Sequence, residues 1–166
     1  MQFVSICMLW QGVPLYFVGV YASSFYDRRL FLWNDLTNLQ GSKCILGDFN
    51  VVLFVKESKE DNPHNLVSTN EFGSWVNSNN LLTLPHSGSF YTFTNDRLGA
   101  HRVDRKLDKI FFNFDCLDLC KACNYSIFPQ SNLIIILFYL FVIVRPLFFR
   151  FFRCGYNMMI CYLIMV

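Results

Sequence analysis

The sequence predicts an α/β fold, and three observations carry that expectation. Two short β-rich runs flank a Gly-Pro punctuation near the start. Two amphipathic stretches follow at helical spacing, and short apolar strand-like segments separate and succeed them. At 166 residues, 54% of them hydrophobic, the chain is long enough to bury one sizeable core.

Residues 3–9 and 15–21 read as the arms of a β-hairpin, because Gln11-Gly12-Val13-Pro14 interrupts two apolar runs. Residues 27–39 then place Leu30, Trp33 and Leu36 at three-residue steps with Leu39 following, the pattern of an amphipathic helix stopped by Gly41. Residues 43–46 form a short buried strand that ends at Gly47-Asp48-Phe49-Asn50. The charged stretch 56–65, with Pro63 inside it, reads as a surface loop. Ser68-x-x-Glu71 has the form of a capping box ahead of Phe72, Trp75 and Val76, so a second helix is expected over 69–79. Aromatic and β-branched residues make 90–94 strand-like, residues 95–102 a loop, and 106–112 another strand.

Beyond Gln130 the character changes. Residues 133–144 carry no charge, Arg145-Pro146 interrupts, and a Phe/Arg mixture and a second apolar run follow. A bilayer-spanning helix needs about 20 apolar residues in succession, so residues 133–144 are read as a buried strand leading into an irregular tail. The expected division is a domain over 1–132 and a hydrophobic, degenerate C-terminal segment over 133–166.

Composition narrows the function classes. A formal charge of +2 gives no electrostatic argument for a polyanionic partner. The start Met1-Gln2-Phe3-Val4-Ser5 lacks the basic n-region of a secretory signal, so the seven cysteines are read as free thiols in an intracellular, non-secreted chain. Cys116, Cys120 and Cys123 have the CxxxCxxC spacing of an iron–sulfur motif. No fourth Cys or nearby His accompanies them, and they are read as small buried hydrophobes.

Gly47-Asp48-Phe49-Asn50 is the segment that carries chemistry. At the C-terminal end of a buried strand it sets a carboxylate beside an amide where ligands usually bind. A carboxylate there can orient a water or hold a divalent ion, and the Asn can donate to a phosphoryl oxygen. Asp and Asn are also turn formers, so the motif alone is more often a bare turn.

Its companions in order are Val20-Tyr21-Ala22-Ser23-Ser24, Arg28-Arg29, Leu32-Trp33-x-x-Leu36, Ile45-Leu46-Gly47-Asp48-Phe49-Asn50-Val51, Glu57, Phe72, Leu81-x-x-Leu84-Pro85, Gly88, Thr92-Phe93-Thr94-Asn95 and Lys106-Leu107-Asp108-Lys109. With Arg145-Pro146 and Phe149-Arg150-Phe151-Phe152 behind them, these segments resemble the endonuclease/exonuclease/phosphatase (DNase I-like) superfamily, in the form carried by plant non-LTR retrotransposons. The resemblance implies a Mg²⁺-dependent phosphodiesterase acting on DNA. Asp48 and Asn50 would activate water, steady the attacked phosphate and contact the metal, and Tyr21 would touch the phosphate at the site edge. Asp108 would orient a catalytic His, and Thr94 and Asn95 would lie on a DNA-facing loop. The residues alone also allow Tyr21 to pack beside Trp33, Asp108 to pair with Lys106 or Lys109 at the surface, and Thr94 and Asn95 to be plain turn formers.

Two departures accompany the matches. Where the family carries Ser-Asp-His, this chain reads Ser131-Asn132-Leu133, and Leu has neither lone pair nor proton to offer. His64, His86 and His101 do not occupy the position and are read as solvated loop residues. The family's early Asn and its metal-binding Glu have no counterpart before Tyr21, so the fold implied is a partial four-layer α/β sandwich with its N-terminal half missing. Mg²⁺ affinity is expected to be weak, and the expected function is that of a degenerate, inactive copy. An active or partner-complemented hydrolase, and a membrane-associated protein anchored by residues 133–166, stay open as alternatives.

Overall fold

The computed structural model describes residues 2–10, 12–60, 66–83, 86–119, 122–130, 133–142, 145–153 and 159–165, the last four stretches mainly through their strand pairing. Pro63, His64, Leu84, Pro85, Cys120, Ser131 and Asn132 lie outside the described residues, as does the burial of residues 133–144. The architecture is mixed α/β.

Strands β1 (Phe3–Trp10) and β2 (Val13–Tyr21) form an antiparallel hairpin in which Trp10 faces Val13. Gly12 at φ 80 occupies the left-handed region that the tight turn requires, and Val13 and Pro14 belong to the strand rather than to the turn. Helix α1 (Tyr26–Thr37) then crosses to β3 (Ser42–Asp48), which lies parallel to β2. This β–α–β crossover sets the C-terminal ends of β2 and β3 side by side.

The α1 stripe differs from the one expected. Arg29, Leu32, Trp33 and Leu36 are buried, whereas Leu30 is exposed. Steps of three drift off one face of a 3.6-residue helix, while 29, 32, 33 and 36 stay on it. The stretch after β3 also departs from a surface loop. It contains a 3-10 turn (Val55–Glu57) and β4 (Ser58–Lys59), and Glu57 is buried.

Helix α2 (Leu66–Ser78) begins before the expected capping box, so Ser68 lies inside the helix. Its Oγ accepts a hydrogen bond from Arg29 Nη2 at 3.0 Å instead of capping. Phe72, Trp75 and Val76 do form the buried face. Three short strands that the sequence pattern gives no sign of, or only in part, come next: β5 (Leu81–Thr83), β6 (His86–Gly88) and β7 (Phe93–Thr94). Residues 90–92 are not strand; Thr92 donates its N–H to the Arg105 carbonyl at 2.9 Å, and its hydroxyl accepts the backbone N–H groups of Leu107 and Asp108, both at 3.0 Å.

The loop that follows holds a 3-10 turn (Gly99–His101), and the chain continues into β8 (Asp104–Arg105), β9 (Asp108–Asn113) and α3 (Phe114–Leu119). The first five-stranded sheet has the order β1-β2-β3-β9-β5, and a three-stranded sheet has the order β4-β8-β7. Cys116 is buried in α3 while Cys123 lies in strand β10 (Ala122–Gln130), so the cysteine triplet does not share one helix face.

The described residues from Leu133 onward are strands rather than an irregular tail. Strands β11 (Leu133–Val142), β12 (Arg145–Arg153) and β13 (Met159–Met165) continue antiparallel from β10, and β6 completes a second sheet of order β13-β12-β11-β10-β6. Among the described residues no helix is long and apolar enough to cross a membrane.

The core lies between the first sheet and the two longer helices. Trp33, Phe49, Phe72, Trp75 and Phe111 interlock there, with Trp33 stacked on Trp75 at 4.6 Å and Phe49 edge-on to Phe111 at 5.1 Å between centroids. Burying each such ring contributes about 1.5–3 kcal/mol, and the offset and edge contacts add to that.

Candidate active site

The register of the first sheet brings Tyr21, Asp48 and Asp108 into one row. Tyr21 is the pairing partner of Asp48 across the parallel β2–β3 ladder, and Asp48 is the partner of Asp108 across the antiparallel β3–β9 ladder. Direct partners have Cα atoms about 4.5–5.5 Å apart and point to the same face of an antiparallel pair. Asp48 and Asp108 are 2% and 4% exposed, while Tyr21 at 39% stands at the open end of the row. Asp108 is therefore buried in the sheet rather than a surface carboxylate.

Backbone geometry explains why glycine and asparagine flank Asp48. Gly47 has φ 132, a conformation that L side chains rarely adopt, and Asn50 sits at φ 51. Asp48 Oδ1 accepts the Asn50 N–H at 2.8 Å, closing an Asx turn. The Ala22 N–H donates to the Asp48 carbonyl at 2.8 Å, and Asn50 Nδ2 donates to the Ala22 carbonyl at 3.3 Å. The segment that follows Tyr21 is thereby tied to the turn that carries Asp48 and Asn50.

Asp108 is fixed from the other side by Thr92, whose hydroxyl receives its N–H. Lys109, next in β9, is fully buried and donates to the carbonyls of Val51 and Lys106, and its Nζ lies 3.2 Å from Glu57 Oε2. Burial holds the Lys109 ammonium below the ordinary lysine range, with Glu57 opposing. Glu57 in turn accepts the N–H groups of Leu53 at 2.8 Å and Phe54 at 3.4 Å.

Thr94 and Asn95 are not part of this row. They belong to the three-stranded sheet and its loop, where Thr94 Oγ1 accepts the Asp96 N–H at 3.1 Å. Asn95 bridges its loop by donating to the His101 carbonyl at 2.8 Å and accepting from Val103 at 3.0 Å. His101 is exposed in its 3-10 turn and His86 lies in β6.

Asp48 and Asn50 offer part of an oxygen set for a hard cation. Mg²⁺ demands near-octahedral coordination, and the described residues contain no group of three or more His, Cys, Asp or Glu side chains placed to hold a metal ion.

Spacing alone misses three contributors to this corner: Thr92, the Lys109–Glu57 pair, and Arg29. Arg29 donates through Nη1 to the carbonyls of Ser23 at 3.1 Å and Ser24 at 2.9 Å, so one guanidinium anchors the loop after Tyr21 to helix α2. Its place on the 29-32-33-36 stripe is the sequence signal that marks it as buried. No protein-family model matches this chain, and no curated protein matches it.

Proposed function

We propose that this chain carries the phosphate-handling corner of a Mg²⁺-dependent DNA endonuclease of the endonuclease/exonuclease/phosphatase type, derived from a retrotransposon and no longer able to turn over. The observation that supports the reading most is the single row of Tyr21, Asp48 and Asp108 across three strands, with Asn50 leaving its end. Segments from distant parts of the sequence converge there, and a bare Gly-Asp-x-Asn turn would have no reason to recruit them. The finer fold that accompanies this reading is a partial DNase I-like sandwich, and the compartment is intracellular.

In this reading Asp48 orients a water, Asn50 donates to a phosphoryl oxygen as charge develops, and Tyr21 contacts the phosphate. Asp108 is built to hold an imidazole, but Leu133 stands at the family's His position and supplies no proton-transfer group. Loss of such a group typically costs about 10²–10⁴-fold in rate.

The test is nicking of supercoiled plasmid in Mg²⁺ by the full chain, compared with its Asp48→Ala variant. Equal, background-level nicking by both is expected. Robust nicking by the chain that Asp48→Ala abolishes would overturn the inactive reading and leave an active hydrolase.

A further inference from the structure

Beside Asn50 the surface opens into a cleft of about 340 Å³, walled by Ser24, Phe25, Tyr26, Arg29, Ser68 and Arg105 among others. That volume falls at the lower end of the range for small-molecule sites, about 300–1,000 Å³. Its described lining contains two guanidinium groups and no carboxylate. Glu60 takes Arg105 Nη2 at 2.6 Å and the charge of Glu71 acts on Arg29, yet the Nε–H donors of both arginines are buried without an acceptor. Arg29 itself is 3% exposed.

A second, independent feature shares the cleft wall. Helix α1 starts in the wall of the same cleft, at Tyr26, and its N-cap Phe25 provides no side-chain cap. The first amides of a helix lack intrahelical acceptors and carry the positive end of its dipole, which makes an uncapped start a place for an anion. Asp27, the acid of this first turn, is exposed and not among the cleft's described lining residues. Phe25, at 65% exposed, and the partly exposed Tyr26 stand at the mouth as flat aromatic surfaces.

We infer that this cleft binds a nucleotide phosphate, held by the start of α1 and the guanidinium groups, with the attached nucleoside against Phe25 and Tyr26. Because Asn50 lines it, the cleft takes the phosphodiester group next to the one at Asp48, an assignment that rests on the reading of the Asp48 row as a phosphodiester site. The binding step itself needs no metal.

The test is calorimetric titration of the full chain in EDTA with inorganic phosphate and with the dinucleotide pTpT. Both bind, and pTpT binds about tenfold or more tightly, since base–aromatic contact adds to the phosphate contacts. Arg105→Gln weakens both ligands by about tenfold, the loss of a charge-assisted contact. Phe25→Asp is the decisive variant. Its extended backbone (φ −83, ψ 128) suits a capping carboxylate, so the melting temperature rises while binding of both ligands falls by about tenfold or more. A loss of binding accompanied by a gain in stability cannot come from unfolding. Binding in EDTA is read independently of nicking, so this cleft and the catalytic reading fail separately. Absence of heat with both ligands at millimolar concentration, unchanged binding in Phe25→Asp, or pTpT no tighter than phosphate would each overturn the inference.

Discussion

The Nζ of Lys109 lies 3.2 Å from Oε2 of Glu57, in a pair whose side chains are 1% and 7% exposed. Through this pair the loop leaving Asn50 is fastened to β9: Lys109 holds the Val51 carbonyl, and Glu57 holds the Leu53 and Phe54 amides. Removing one partner of a buried pair strands the other charge and costs about 3–5 kcal/mol. Lys109→Met is expected to lose that much in urea denaturation. Adding Glu57→Gln to it recovers most of the loss, because the Gln oxygen still accepts the two amides and no unpaired charge remains. A double variant as unstable as Lys109→Met would contradict this account.

The same lysine gives the fold an alkaline pH dependence. Its folded-state pKa is depressed by burial relative to the ordinary 10.5, with Glu57 and Asp108 opposing the shift and Lys106 adding to it. In the window between the two values the unfolded chain binds the extra proton, so stability rises with pH there and is lost as pH falls through the folded value. Comparing wild type with Lys109→Met by urea denaturation across that window isolates this contribution. The wild type should gain on the variant as pH rises, and parallel curves would refute the assignment.

Thr92 is the hinge between β8 and the site. Its buried hydroxyl accepts the N–H groups of Leu107 and Asp108, so Thr92→Val leaves two buried donors without a partner at nearly constant volume. Each stranded donor costs about 1–3 kcal/mol. Thr92→Ser keeps the oxygen and should stay within about 1 kcal/mol of wild type by denaturant unfolding.

Phe49 lies between Asp48 and Asn50 and is fully buried among Trp33, Phe72, Trp75 and Phe111. The turn is thereby pinned to the core through its central residue. Phe49→Ala should cost about 3–5 kcal/mol. Phe49→Leu should cost less, because it leaves a smaller cavity, and thermal melts of the two variants check the order.

Asp48 and Asp108 are directly paired, buried residues on facing strands. Like charges so placed are unfavourable by about 0.2–1 kcal/mol, and Asp48→Asn tests whether this pair repels, with a slightly raised melting temperature expected. Under the inactive reading proposed above, the same change leaves plasmid nicking at background. A lower melting temperature would argue that the two carboxylates are held by stabilising contacts that outweigh their repulsion.

The sequence by itself determined the local elements and the identity of the central turn. Apolar runs broken by Gly12 marked the hairpin, Phe72, Trp75 and Val76 marked the face of α2, and the Gly47, Asp48 and Asn50 spacing marked a turn at the end of a buried strand. These signals are legible because they depend on neighbours three or four residues away, or on backbone conformations that only certain residues tolerate. What the tertiary structure alone decided were pairings across long stretches of chain. Ser68 holds Arg29 instead of capping α2, Glu57 is buried against Lys109 instead of solvated, and the Thr92 hydroxyl takes the backbone N–H groups of Leu107 and Asp108. Residues 145–153 and 159–165 likewise form strands because a neighbouring strand offers its edge, which no local pattern records. A buried polar group must find a partner wherever the fold provides one. The partner's position in sequence is set by the packing of the sheet and helices, not by the residues beside it.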